Sequence, residues 1–272
     1  MEKENYALAY FNTLYTTKHT ILGVKQDIKN RHSMYMSAME SDFLIYCANN
    51  ISNSNSQLFQ DLFVLFVLKE KKNGVFVEFG AVDGIYLSNS LLLEKEYGWT
   101  GVLCEPVQRY HTDLTQNRTC SIDTRCVWSR SGEKLTFIDT DVDGLGTLEQ
   151  FRNSDPHGPV RASAQSYEVE TVSLQDLLET HAIPTDFDFL SIDTEGSELD
   201  ILKSTNFEMV RPKVIVCEHN FVEDKRMEIR TLLTDNGYEN VFQGVTLFED
   251  WFVRVDVISA QNLSKCRESS II

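Results

Sequence analysis

From Gly74 onward the chain alternates short β-branched or aromatic runs with helix-length segments. GVFVEFG (74–80), TGVLCEP (100–106), TRCVWS (124–129), YEVETVS (167–173), FDFLSID (187–193) and PKVIVCEHN (212–220) read as strands. The segments between them, SNSLLLEKEYG, VQRYHTDLTQN, LQDLLETH, ELDILKST and RMEIRTLLTDNGY, read as helices, the last ending at Gly237 in the position favoured for a helix stop. Such alternation predicts βαβ units and a parallel sheet. KLTFIDT (134–140) is expected as one arm of a hairpin with the preceding run, turning through Ser131-Gly132. VFQGVTLF and DWFVRVDV are expected to close the chain as a β pair.

Two regions break this rhythm. Residues 1–55 are mixed and aperiodic, read as a helical extension that ends near the polar SNSNS break. Closing over a cofactor, binding substrate or joining two copies into a homodimer are the roles open to it. Residues 141–165 form a polar insert, long enough to be a binding loop or lid as readily as a disordered surface loop. An exposed histidine without a role is the simpler expectation for His157 within it. The resulting division is 1–55 extension, 56–260 catalytic domain and 261–272 tail.

Composition changes the picture in one respect. The 272 residues hold 25 Lys plus Arg against 41 Asp plus Glu, a net charge of −16. That balance argues against a nucleic-acid partner or a broad anionic-membrane surface. The longest apolar run, LFVLFVL (62–68), is far shorter than the ~20 residues a membrane span needs. No secretory leader is read at the start, and the six cysteines form no CxxC pair, so a reducing, cytoplasmic setting is expected.

The first chemical constellation is GVFVEFGAVDG. It places Glu78, Gly80, Ala81, Asp83 and Gly84 at the carboxyl end of a strand, ahead of a helix. Ligands of open α/β sheets lie beyond such strand ends. A dinucleotide fingerprint would need glycine where Val82 stands, and Asp83 would repel a diphosphate. The loop therefore suits a cationic, amino-acid-bearing nucleotide better than NAD(P), and an NAD(P)-linked oxidoreductase is disfavoured. The next strand ends at Glu105-Pro106, where an acid can accept hydrogen bonds from ribose hydroxyls.

At this point residues 74–255 resemble the FkbM-type family of class I S-adenosylmethionine-dependent methyltransferases. The residues that carry the resemblance are VFVEFGAVDG, GVLCEP, VSLQDLLE, FLSIDTEGSELDILK and RPKVIVCEHN. The resemblance implies a Rossmann-like α/β fold with a mostly parallel seven-stranded sheet and helices on both faces. It implies S-adenosylmethionine as cofactor, with Glu78, Gly80 and Gly84 in its loop, Glu105 at the ribose and Asp193 near the methyl donor. It also implies O-methylation of a sugar, polysaccharide or natural-product acceptor. A non-catalytic adaptor that keeps the fold is the rival of another class.

The second constellation lies at the ends of two buried strands. FLSID-TEG delivers Asp193 and Glu195, and VIVC-EHN delivers Glu218, His219 and Asn220. Adjacent parallel strands lie about 4.8 Å apart, so the two tips can converge. Asp193, Glu218 and His219 suit Mg or Mn, an arrangement resembling metal-dependent O-methyltransferases. Without a metal, Asp193, His219 or Glu195 would serve as the catalytic base. Capping of the next helix is the plainer role for Glu198 and a competing one for Glu195.

Overall fold

The computed structural model describes residues 38–243 and 245–260. Residues 1–37 and the 261–272 tail, and so most of the expected extension, lie outside the described residues.

In chain order the helices are α1 (Ala38–Asn50), α2 (Gln60–Val67), α3 (Leu91–Tyr97), α4 (His111–Asn117), α5 (Gly158–Arg161), α6 (Leu174–Thr180), α7 (Glu198–Ser204), α8 (Glu223–Asp235) and α9 (Val255–Ala260). The strands are β1 (Val75–Phe79), β2 (Thr100–Cys104), β3 (Ser121–Asp123), β4 (Cys126–Val127), β5 (Lys134–Asp139), β6 (Thr147–Leu148), β7 (Gln165–Val172), β8 (Asp186–Ile192), β9 (Arg211–Glu218), β10 (Tyr238–Val241) and β11 (Glu249–Arg254).

Seven strands form the main sheet in the order β10-β11-β9-β8-β1-β2-β3. β3, β2, β1, β8 and β9 run parallel, and β11 joins β9 and β10 antiparallel. This is the Rossmann-like class I methyltransferase arrangement, with the crossover between β1 and β8 opening a crevice at the strand tips. The strands read as near-continuous apolar runs because both faces are covered. Phe76, Phe189, Val214, Val216 and Trp251 pack on one side, with α1 and α2. Val77, Leu190, Ile215, Cys217 and Phe252 pack on the other, with α6, α7 and α8. Phe63 of α2 stacks on Trp251 of β11 with ring centroids 4.4 Å apart. Among the described residues, no helix is long and apolar enough to cross a membrane.

Three local expectations are corrected. The third strand of the main sheet is Ser121–Asp123, paired with β2, and not the 124–129 run. Cys126–Val127 leaves that sheet and pairs with β7. KLTFIDT does not fold back on the preceding run: β5 pairs antiparallel with β6 and β7, completing a second sheet ordered β4-β7-β5-β6. The insert is ordered too. It holds β6, a 3-10 turn at Glu149–Phe151 and α5. At the chain's end, β11 is framed by β10, which stops at Val241, and by helix α9, which takes up Val255 onward.

Candidate active site

A cavity of about 870 Å³ opens at the carboxyl ends of β1, β2, β8 and β9. Glu78, Gly80, Val82, Glu105 and Pro106 line one side, and Asp193, Glu195, Glu218 and Asn220 another. The insert supplies a further wall from Gly144 to Leu148 and from Pro156 to Val160, His157 included.

The loop after β1 turns at Gly80, where φ is +76°, and any Cβ there would lie 2.3 Å from the Asp193 carbonyl oxygen. Val82 also has positive φ (+49°), which a β-branched residue adopts only under constraint. The constraint is Glu105: its carboxylate accepts the Val82 N–H at 2.8 Å and the Val107 N–H at 2.8 Å. Burial nevertheless pushes Glu105 up to about 7 against those two bonds.

Ala81, Asp83 and Gly84 stand behind the cavity wall. The Asp83 carboxylate accepts the N–H groups of Ile85 and Tyr86, so it shapes the turn. A Cβ on Gly84 would meet Arg118 Cγ at 2.6 Å and Leu114 at 2.8 Å, which makes this glycine a packing requirement against α4. The helix expected directly after the loop begins only at Leu91. In the gap, Glu78 accepts from Ser88 Oγ, Ser90 Oγ and the Asn89 N–H. Arg118, itself buried, donates to Ser88, Ser90 and the Gly84 carbonyl and pairs with Glu94 at 2.7 Å. Asn89 lines the cavity, and its Oδ1 is buried without a hydrogen-bond partner.

On the opposite side, Asp193, Glu195 and Glu218 each present a carboxylate oxygen within 4.8 Å of the others. Asn220 Nδ2 bridges two of them, donating to Glu195 Oε2 at 3.1 Å and Glu218 Oε2 at 2.8 Å. Crowding and burial disfavour three charges so close. Burial pushes Asp193 up to about 7, aided by the Glu198 charge. Glu195 and Glu218 rise well above the carboxylate range through burial and then through Asp193. Glu198 is different: burial opposes its ionisation, but the Lys225 ammonium 2.9 Å away outweighs that and holds it low. Its carboxylate also accepts from the Thr194 and Gly196 N–H groups, at the start of α7.

The structure does not bring His219 into this group; Glu195 stands there instead. Successive residues of an extended chain face opposite sides. Glu218 follows Val214 and Val216, whereas His219 follows Ile215 and Cys217 toward the other face. His219 Nδ1 accepts the Phe221 N–H at 3.1 Å. Of the third-strand run, Val127 lines the cavity, while Trp128 donates to Glu133 at 3.1 Å outside it. Arg161, Asn89 and Glu249 reach the site without having been singled out in the sequence. Arg161 closes the four-residue helix α5, too short to leave a periodic pattern, Asn89 stands just ahead of α3, and Glu249 lies at the first position of β11.

The methyltransferase FkbM domain model matches residues 78–239, more than half of the chain. The chain belongs to the FkbM methyltransferase family. That match spans the Glu78 loop, Glu105, Asp193, Glu195 and Glu218, and also the insert. Among solved structures, a methyltransferase FkbM from Methylobacillus flagellatus KT is 10% identical, with a TM-score of 0.44. The alignment covers 85% of this chain and 58% of that one, so the chain spans less than two thirds of that protein. An O-methyltransferase from Bacillus cereus in complex with SAH is 13% identical over 87% of this chain and 97% of that one, TM-score 0.39. SAH-bound PaMTH1 from Podospora anserina is 8% identical over 84% and 96%, TM-score 0.41. No curated protein matches the chain.

Proposed function

We propose that this FkbM-family methyltransferase transfers a methyl group from S-adenosylmethionine to a hydroxyl of a sugar, polysaccharide or natural-product acceptor. The observation that carries the reading is one continuous cavity joining two unlike walls: the Gly80 loop with Glu105, and the carboxylates of β8 and β9.

The residues fit the cofactor. Glu105 is the acceptor for ribose hydroxyls, Gly80 offers bare backbone, and the unspent Asn89 Oδ1 suits a ligand ammonium. Bound there, the sulfonium supplies an electrophilic methyl carbon. The chain must orient an acceptor oxygen toward it and take the hydroxyl proton as the new C–O bond forms and the S–C bond breaks. We assign Asp193, in the acid cluster with Glu195 and Glu218, to take that proton. The insert, with His157, lines the same cavity.

A second reading is favoured by the carboxylates lying within 4.8 Å of one another. Asp193, Glu195 and Glu218 have the hard-oxygen chemistry of a Mg or Mn site, which would lower the pKa of a coordinated hydroxyl. The carboxylates already bonded to Asn220 retain further lone pairs for such an ion.

Calorimetric titration with S-adenosylhomocysteine tests the cofactor. Binding is expected, and Gly80→Arg should abolish it; no binding by the well-folded wild-type protein refutes the enzyme reading and favours an adaptor. Transfer of label from S-adenosylmethionine to glycan and natural-product panels, analysed for O-linked methyl, tests the acceptor. Normal turnover after exhaustive chelation, together with normal turnover of Glu218→Ala, refutes the metal.

A further inference from the structure

We propose that Arg161 is a positioning residue for the acid cluster, acting through Glu195 from the insert. The inference rests on reading Asp193, Glu195 and Glu218 as a divalent-cation site.

The Arg161 side chain is fully buried, with 0% exposure. Its guanidinium spends its donors in three directions. Nε donates to the Leu145 carbonyl at 3.0 Å, and Nη1 to both Asp155 oxygens at 2.9 Å. Nη2 donates to Glu195 Oε2 at 2.7 Å. The first two directions suffice to staple the insert to itself. The third leaves the insert and reaches the tip of β8.

The same segment grips Glu195 at its backbone. Thr147 Oγ1 donates to the Glu195 carbonyl at 2.7 Å. Phe151 packs so closely on Gly196 that a Cβ there would come within 2.7 Å of Phe151 Cβ. The turn needs that support, because Glu195 has φ +57° and Gly196 φ +136°. Few non-glycine residues hold positive φ unless their surroundings fix them. Asn220 completes the hold by donating to the Oε2 that Arg161 already engages. One oxygen of Glu195 is thus fixed by two donors, which sets the direction of the other.

Arg161 does this without adding charge to the cluster, since Asp155 is its buried partner. A neutral pair directs a ligand carboxylate; it does not compete with a cation by net charge. Arginine suits the task because its planar fork can hold Asp155 and Glu195 at once, which an ammonium does not reproduce.

The test uses the full chain and two probes: Mn²⁺, followed by loss of the free-ion electron paramagnetic resonance signal, and S-adenosylhomocysteine, followed by calorimetry. Asp155→Asn with Arg161→Gln removes the pair at constant net charge. Mn²⁺ affinity should fall about tenfold or more, the scale for losing the partner that orients a metal ligand. S-adenosylhomocysteine affinity should stay within about twofold, because the Glu105 side of the cavity is untouched. Arg161→Lys keeps the charge without the fork and should show an intermediate loss, which decides the matter if the double variant does not fold. Unchanged Mn²⁺ affinity in the folded variants overturns the proposal and leaves the cation site standing. Absence of Mn²⁺ uptake by the wild-type protein overturns the cation site and this proposal with it.

Discussion

Gly80 and Asp193 touch through their backbones: the space a Cβ would need on Gly80 is already taken by the Asp193 carbonyl oxygen, 2.3 Å away. The first loop and the fourth parallel strand are thereby locked together. With φ at +76°, Gly80→Ala meets both a clash and an unfavourable backbone region. Destabilisation of about 2 kcal/mol or more is expected in denaturant unfolding. S-adenosylhomocysteine should bind at least about tenfold more weakly, because the loop can relieve the clash only by moving. Wild-type affinity in this variant would contradict the lock.

Arg118 is a buried cation serving Glu94, Ser88, Ser90 and the Gly84 carbonyl. Arg118→Met leaves Glu94 only the more distant Lys95 ammonium, at 3.8 Å, and loosens the stretch that Glu78 organises. A loss of about 3–5 kcal/mol follows for a broken buried pair. Urea unfolding measures it, and a loss under about 1 kcal/mol would mean the pair is not doing this work.

Asp61 sets a pH dependence away from the cavity. Its carboxyl is fully buried, and burial raises it to about 6 despite bonds from Ser54 Oγ and the Asn55 and Leu62 N–H groups. The unfolded value is near 3.9. The folded state therefore binds this proton more tightly than the unfolded chain does. The stabilisation is full below about pH 4 and is lost as pH rises through about 6. Melting temperature should fall over that window from this group, and Asp61→Asn should flatten the slope. An unchanged slope in Asp61→Asn rules the assignment out.

Phe221 stands 66% exposed at the cavity mouth with φ +58°, directly after Asn220 at +47°. A side chain this exposed forfeits little packing when removed, while the left-handed backbone costs about 1–2 kcal/mol for a non-glycine residue. Phe221→Gly should therefore raise stability by about 1 kcal/mol in denaturant unfolding, with S-adenosylhomocysteine affinity unchanged. A destabilised variant would show that Phe221 packs more than its exposure implies.

The strands that frame the cavity were legible because they are buried on both faces. VFVEF, FLSI and VIVC could be read as strands, and the acids at their tips then stood out. The second sheet was not legible. TRCVWS has strong strand character, yet its partner is β7, forty-odd residues away, and no local pattern records a distant partner. The ordered insert was hidden for the same reason: β6 and α5 are short, and their stability comes from contacts such as Arg161 with Glu195 that have no periodicity. The exchange of His219 for Glu195 turned on one residue of alternation along the strand. Placing Glu218 on the cavity face commits His219 to the opposite one.

β11 is late in the sequence but interior in the sheet, flanked by β9 and β10 and tied back to α2 by Gln60 Nε2 on Glu249 at 3.0 Å. During synthesis the parallel strands are therefore made first and wait with β9 as a bare edge. Unpaired edges invite adventitious pairing. The nascent chain stays vulnerable, and its pocket lacks the wall carrying Glu249, until residue 254 has cleared the ribosome.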